Sequence, residues 1–143
     1  MFVGTHIVGV DGKGRVSIPA PFRAALKGSD TIYVWRSHRG ACLEAGDEAL
    51  LEKYKAAMAA AGETDREDLE YAIFSEVRPL AFDVTGRVSL PDDLRSHAGL
   101  NGKAAFTGLS DRFEIWEPKA LDSRIAQARA QAQEGRAKLR RGL

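Results

Sequence analysis

The sequence contains a single cysteine and no long apolar run, and both scarcities restrict the kind of protein that it encodes. Cys42 is the only thiol among 143 residues, so no disulfide can form within the chain, and this usage is typical of a reducing compartment. No stretch approaches the roughly 18 to 20 apolar residues that a membrane helix needs. The first ten residues lack the basic start of a secretion signal. We therefore expect a soluble, cytoplasmic protein that does not bind a membrane.

Residues spaced for catalysis or for cofactor binding are also scarce. The glycines near Asp11 have neither phosphate-loop nor dinucleotide-binding spacing. The three histidines and the cysteine lack the intervals of a metal site, and no histidine neighbours Ser17 or Ser89 in the sequence. We expect no enzyme activity, no catalytic residue, no metal and no cofactor.

The charges are nearly balanced in number but unevenly distributed. The net charge is +1, yet the formal charge is +4 over residues 1–43, −7 over 44–76, −1 over 77–117 and +5 over 118–143. Such segregation can confine a positive field to one face of the molecule, which favours an anionic partner. For the middle and the tail, solvated helix faces of opposite sign are an equally good interpretation.

The most informative pattern that is present is an internal repeat. The segment Asp11–Arg23 returns as Asp83–Arg95 at a constant offset of 72 residues, with seven of 13 positions identical. Shared residues are candidates for maintaining the fold, whereas divergent residues are free to specialise. We expect a first repeat at 1–47, a helical bridge at 48–78, a second repeat at 79–118 and a basic, alanine-rich helix or tail at 119–143.

Each repeat carries the same predicted order of elements: strand, turn, strand, short helix, strand, strand. The Asp-Gly turn at Asp11 lies between two apolar segments, which predicts a β-hairpin. Pro19 and Pro91 each end a strand and open a short helix. The predicted fold class is α+β, mainly β with short helices, in two pseudo-symmetric halves. The predicted strands are Ile7–Val10, Arg15–Ile18, Thr31–Trp35, Ala41–Glu44, Ala81–Phe82, Arg87–Leu90, Ala104–Thr107 and Arg112–Trp116.

Two helices are predicted between the repeats. The first has Asp47 as its N-cap and ends at Gly62, and its apolar stripe is Leu50, Leu51, Tyr54 and Met58. The second begins with a capping box at Thr64–Glu67, ends before Pro79 and carries Leu69, Ile73 and Val77. In the tail, only Leu121 and Ile125 are convincing apolar anchors, so we expect its far end to fray.

The two turns carry the candidate functional residues. Only the last glycine of each turn is shared, which predicts a positive φ at Gly14 and Gly86. Asp11 with Arg15, like the equivalent pair in the second repeat, allows two interpretations. The pair can pin the turn as an intramolecular ion pair, or the guanidinium group can reach phosphates or guanine edges of DNA.

Differences between the repeats favour the first as the principal DNA-binding unit. Lys13 is replaced by Thr85, and Ala20-Pro21 by Asp92-Asp93, whose carboxylates suit the positive end of the second short helix. On this hypothesis the second repeat chiefly completes the core and the assembly. The candidate DNA-binding residues are Lys13, Arg15, Arg23 and Arg87, and the candidate structural residues of the turns are Asp11, Gly14, Asp83 and Gly86.

From Met1 to about Pro118 the chain resembles the MraZ family of bacterial transcriptional regulators, and each half resembles an AbrB-type DNA-binding unit. The motifs are Asp-x-x-x-Arg at Asp11 and Asp83, with Met1-Phe-x-Gly4, Arg95-x-His97-Ala-Gly99-Leu100 and Phe113-Glu-Ile-Trp116 beside them. The resemblance implies a swapped-hairpin β-barrel and a closed ring homo-oligomer, an octamer or a similar ring. It also implies a nucleoid-associated protein that binds double-stranded DNA at short direct repeats in the promoter of the division and cell-wall gene cluster, its own gene included. By this analogy Lys13 and Arg15 contact DNA, and Arg23 is a further candidate contact.

Two other functions stay open at the level of sequence. One is an AbrB-type antitoxin that neutralises a toxin through its tail, although residues 119–143 are basic and alanine-rich rather than apolar and acidic. The other is a structural ring protein that uses the turns for subunit contacts, which would bury Lys13 and Arg15. A hydrolase or transferase is the least favoured class, since it would need a pocket of convergent acids.

Overall fold

A computed structural model describes all 143 residues as eight strands, six α-helices and one 3₁₀ turn. Residues 1–47 contain β1 (Thr5–Gly9), β2 (Arg15–Ser17), α1 (Ala20–Ala25), β3 (Thr31–Arg36) and β4 (Leu43–Gly46). Two helices follow, α2 (Glu48–Ala59) and α3 (Glu63–Ala72), and then the 3₁₀ turn at Phe74–Glu76. The remaining elements are β5 (Arg78–Ala81), β6 (Arg87–Ser89), α4 (Asp92–Ala98), β7 (Lys103–Gly108), β8 (Phe113–Trp116), α5 (Pro118–Gln131) and α6 (Gln133–Gly142). The predicted order of elements in each repeat is confirmed, as is the α+β class.

The strands form two antiparallel sheets in which the repeats exchange partners. The larger sheet has the order β1-β7-β8-β4-β3-β5, and the smaller consists of β2 and β6. The first strand of each repeat therefore pairs with a strand of the other repeat, as Thr5 opposite Thr107 and Thr31 opposite Ala81 show. Since β1 and β5 are the edges of the larger sheet, hydrogen bonding between strands does not close it into a barrel.

The predicted pairing of β1 with β2 in a hairpin is wrong, except at the turn itself. The two segments meet only at a bridge between Val10 and Val16, next to a backbone hydrogen bond from the Asp11 nitrogen to the Arg15 oxygen. Beyond this point β2 leaves β1 and pairs with β6. The reason is burial, since Val16 lies directly opposite Val88 and both side chains are inaccessible to solvent.

The main core lies between one face of the large sheet and a layer made of the β2–β6 ribbon, α1 and α4. Phe22 of α1 is fully buried and packs against the rings of Phe2 and Phe113, with centroids 5.5 and 5.2 Å away. Burying a phenylalanine of this kind contributes about 1.5–3 kcal/mol. The ribbon is therefore fixed to the sheet through the apolar residues of both repeats.

The opposite face of the large sheet is covered by the longer helices. Leu50 and Met58 of α2 pack with Trp35, and Leu121 of α5 packs with Ala105 and Trp116. Because neighbouring residues of a strand face opposite sides, the sheet separates these helices from the ribbon. None of the six helices is both long and apolar enough to span a membrane.

The helix ends differ in part from those predicted. Asp47 is the N-cap of α2, as predicted, and its carboxylate accepts a hydrogen bond of 3.0 Å from the Leu50 nitrogen. The capping box at Thr64 is wrong, because α3 begins at Glu63 and its N-cap is Gly62, which has no side chain. The second helix is also shorter than predicted, since α3 ends at Ala72 and the 3₁₀ turn carries the chain into β5.

The tail is helical as far as Gly142, which is one of the two predicted alternatives, and the expected fraying of its far end is wrong. Leu121 is buried as expected, whereas Ile125 is 37% exposed and anchors little. At the offset of 72 residues, α5 and α6 fall on the positions of α2 and α3. The internal duplication therefore extends beyond the strands to a pair of helices after each repeat.

Candidate nucleic-acid interface

The β2–β6 ribbon presents arginines from both repeats on one surface. Arg15 lies opposite Ser89 and Ser17 lies opposite Arg87, and directly opposed residues of an antiparallel pair point to the same side. The valine pair between them faces the core. The outward face thus combines two guanidinium groups and two hydroxyl groups on a rigid support.

In the first turn, the carboxylate of Asp11 organises the backbone and the arginine together. It accepts hydrogen bonds of 2.9 Å from the backbone nitrogens of Lys13 and Arg15 and one of 2.6 Å from Arg15 Nε. The hydrogen bond from the Arg15 backbone nitrogen is the largest of the causes that lower the pKa of Asp11 to about 2. Because the ion pair uses Nε and neither Nη nitrogen has a partner within the chain, the end of the guanidinium group can bind an external acceptor.

The second turn repeats this arrangement with one substitution. Asp83 accepts hydrogen bonds from the backbone nitrogen and Nε of Arg87, both 3.0 Å long. Thr85 adds a backbone and a hydroxyl hydrogen bond of 2.9 and 2.8 Å, and together these donors lower the pKa of Asp83 below the usual carboxyl range. The threonine hydroxyl thus binds back to the turn, whereas the equivalent Lys13 leaves its ammonium group in solvent.

The two ion pairs meet across the ribbon. Arg87 Nη1 lies 4.0 Å from Asp11 Oδ2, and the side chains of both arginines are 34% exposed. The formal charges of this group of two arginines and two aspartates cancel. Lys13, in the first turn, adds a positive charge beside this group.

Each turn is also held by an arginine from the other repeat. Gly14 and Gly86 have φ values of +79° and +80°, as predicted, and both are buried. A Cβ atom placed on Gly14 would lie 1.4 Å from Arg95 Nη1, and one placed on Gly86 would lie 2.1 Å from Arg23 Nη1. Glycine is therefore required at both positions for two reasons. The backbone is left-handed there, and the arginine that covers the turn leaves no room for a Cβ atom.

The Arg23 side chain therefore lies against the second turn and does not simply project from its own helix as a DNA contact. Its guanidinium carbon lies 5.6 Å from the centroid of the Phe82 ring, beside the second turn, while the residue as a whole stays exposed. Arg95 forms the equivalent cover on the first turn and pairs with Asp92. Sequence reasoning noted that both arginines are shared but missed that they cross between the repeats, because no local pattern indicates strand exchange.

The acidic pair that distinguishes the second repeat is engaged within the chain. Asp93 accepts a 2.6 Å hydrogen bond from Arg78, and Asp92 pairs with Arg95. In the first repeat, Ala20 and Pro21 provide no such carboxylates. Arg95, which covers Gly14, places its partner Asp92 near the first turn. Ala20 lies instead with Arg23 beside the second turn.

The remaining reactive side chains do not form a second site. No group of three or more histidine, cysteine, aspartate or glutamate side chains is placed to hold a metal ion. Cys42 is fully buried, and burial, reinforced by the charge of Glu114, raises the pKa of its thiol to about 12. This thiol stays protonated and unreactive near neutral pH.

The fold and this surface define a class of protein: a duplicated α+β chain whose halves exchange strands and display two matched Asp-x-x-x-Arg turns on one ribbon. The family model described as "MraZ protein, putative antitoxin-like" matches the chain twice, at residues 1–69 and 73–141. These two matches include α2 with most of α3, and α5 with nearly all of α6.

Curated relatives agree with this match. The protein named "Transcriptional regulator MraZ" of Hyphomonas neptunium is 45% identical over 83% of this chain and 74% of its own. The proteins of the same name from Caulobacter vibrioides and Rhodospirillum rubrum are 39% and 40% identical, covering 98% and 94% of this chain and 92% and 91% of their own. The chain belongs to the MraZ family.

Proposed function

We propose that this protein is a DNA-binding transcriptional regulator that contacts double-stranded DNA through the outward face of the β2–β6 ribbon. The observation that carries the proposal is the pair Arg15 and Arg87, held side by side by strand pairing and each oriented by an aspartate. The relatives' name, transcriptional regulator, supports the same function. The expected location is the cytoplasm, in association with the nucleoid.

The geometry suits DNA because it prepares the arginines in advance. A guanidinium group fixed through Nε still has donors for a phosphate or for the acceptor edge of guanine, which arginine binds in a bidentate manner. A short two-stranded ribbon is also an element that can enter the major groove. The side chains therefore lose little conformational freedom when they bind.

We infer that the first repeat makes the stronger contact. Its turn adds the solvent-exposed ammonium group of Lys13, whereas Thr85 at the equivalent position donates its hydroxyl to Asp83. Arg23 supports the second turn and adds a cation at the margin of the surface. Arg87 contributes to the same surface from the second repeat, where Thr85 stands in the place of Lys13.

A ring-shaped homo-oligomer and short direct repeats in the promoter of the division and cell-wall gene cluster complete the proposal. One ribbon offers only a few phosphate contacts, and its aspartates cancel part of its charge. Several ribbons held at the spacing of repeated DNA boxes would bind far more tightly, because every contact after the first is intramolecular. In such a ring each chain would supply one swapped-hairpin, barrel-like unit.

The test is binding of the full chain to a fragment of its own upstream DNA, measured by fluorescence anisotropy across a range of salt concentrations. Arg15→Ala and Lys13→Thr should weaken binding, Arg15→Ala by tenfold or more, and each should reduce the salt slope by about 1 for a lost phosphate contact. Arg87→Ala should weaken binding less. Lys55→Ala, an exposed cation on α2, which covers the sheet face opposite to the ribbon, is the matched control and should change little.

The same measurements can contradict the proposal. Equal losses for Arg15→Ala and Arg87→Ala would remove the asymmetry between the repeats. Wild-type protein that ignores the promoter fragment at low ionic strength would remove the DNA-binding function itself.

A further inference from the structure

Two helices at equivalent positions of the duplication lie at the surface of the chain. α3 and α6 each contain ten residues, and neither buries a single one of them. Isolated helices shorter than about 12–15 residues are marginal in water and depend on packing of one face. Both helices therefore bury too little surface in a single chain to gain much stability from packing.

Their charges are opposite. α3 carries five acidic residues and one arginine, a net charge of −4, and α6 carries four basic residues and one glutamate, a net charge of +3. The same position in the duplicated plan has thus become acidic in one repeat and basic in the other. This divergence places complementary charges on the two exposed helices.

Each helix also has a mixed face that suits contact with protein. On α6 and its C-cap, the spacing of Arg136, Leu139, Arg140 and Leu143 places two leucines and two arginines on one side, and Leu139 is 66% exposed. On α3, Glu67 and Asp68 share a side with Tyr71, which is 69% exposed. An arginine can pair with these carboxylates and stack on the tyrosine ring while the leucines cover apolar surface.

The two helices project from different parts of the molecule. α6 follows α5, which packs on β7 near one edge of the large sheet, whereas α3 leads into β5 at the other edge. A contact between them that joins two copies is therefore head-to-tail, and contacts of this type generate rings when the rotation closes.

We propose that α6 of one copy of this chain docks on α3 of the next copy, with the Arg136–Arg140 face of α6 against Glu67, Asp68 and Tyr71 of α3. The proposal deepens the ring oligomer of the proposed function and supplies its contact. DNA is a less suitable partner for α6, because α5 lies on the sheet face opposite to the ribbon.

To test this contact, the mass of charge-reversed variants of the full chain is measured by sedimentation, first separately and then as a mixture. We expect the wild type to sediment at a multiple of the 15.6 kDa chain. Arg136→Glu with Arg140→Glu should shift the mass towards that of one chain, as should Glu67→Lys with Asp68→Lys. In a mixture of the two double variants, the reversed α6 faces the reversed α3 and the unchanged α6 faces the unchanged α3, so both contacts of an alternating assembly are complementary and the mass should return towards that of the wild type. Lys103→Glu, an exposed reversal on β7, is the control and should leave the mass unchanged.

The outcomes separate this inference from the DNA-binding proposal. Oligomers that persist in both double variants, or variants that do not associate when mixed, would overturn the docking. Reversal on α6 that weakens DNA binding while leaving the mass unchanged would assign the tail to DNA instead. If the wild type ignores promoter DNA but the mixed variants still associate, the docking stands and only the regulator function fails.

Discussion

The substitution Gly14→Ala tests the interlock between the two repeats most directly. A non-glycine residue in the left-handed region costs about 1–2 kcal/mol. The new methyl group would also lie 2.9 Å from the Leu90 carbonyl oxygen, and 1.4 Å from the guanidinium of Arg95. The backbone cannot easily retreat, because the Leu90 nitrogen donates a 2.9 Å hydrogen bond to the Gly14 oxygen.

These contributions together give a destabilisation of about 2–4 kcal/mol. For a chain of this length, the corresponding fall in the melting temperature is about 5–15 °C. Circular dichroism during thermal unfolding, with denaturant titration for the free energy, measures both. Gly12→Ala is the matched control, since a Cβ at Gly12 meets nothing within 4 Å, and it should change stability by less than about 0.5 kcal/mol.

A double-mutant cycle with Arg95→Ala isolates the contribution of the arginine. Without the guanidinium group, Gly14→Ala should cost less by about 0.5–2 kcal/mol, because only the backbone strain and the Leu90 contact remain. A cost that is the same with and without Arg95 would refute the cross-repeat support of the turn. Equal effects of Gly14→Ala and Gly12→Ala would refute the argument from the turn geometry altogether.

Three further predictions concern titration and burial. The pKa of Asp11 is about 2, below its ordinary 3.8. Its ionised form therefore contributes stability that is present above about pH 4 and is lost as the pH falls towards 2. Urea titrations of Asp11→Asn should show a smaller loss of stability over this pH interval than those of the wild type. Tyr54 donates its hydroxyl to the buried carboxylate of Glu44, so Tyr54→Phe should destabilise the chain by about 1–3 kcal/mol in denaturant titrations, and an unchanged midpoint would contradict this contact. Cys42 should resist a thiol reagent at pH 8 in the native state and react after unfolding, because burial raises its pKa to about 12; rapid labelling of folded protein would show that the thiol is accessible.

The sequence alone was a good guide wherever the signal was local. The repeated order of elements, the N-cap at Asp47 and the positive φ of Gly14 and Gly86 are confirmed. Each depends on residues a few positions apart, such as a carboxylate before a helix or a glycine that ends a turn.

What the sequence did not reveal depends on partners distant in the chain. A hairpin pattern predicts that β1 pairs with β2, but the apolar faces of the two repeats decide that β2 pairs with β6. Arg23 and Arg95 were visible as shared residues, yet their contact with the opposite turn follows only from that exchange. The length of the helical tail was underestimated because few apolar residues mark it.

The exchange of strands also governs the order in which this chain can fold during synthesis. Thr5 pairs with Thr107 and Gly9 with Lys103, so the first strand to leave the ribosome waits for roughly a hundred further residues, or about 5–20 s at ordinary elongation rates. Until then β1 exposes unpaired backbone groups and half of its apolar side chains, a condition that favours association with a second nascent chain. The sheet that contains β1 can therefore form only after β7 has left the ribosome.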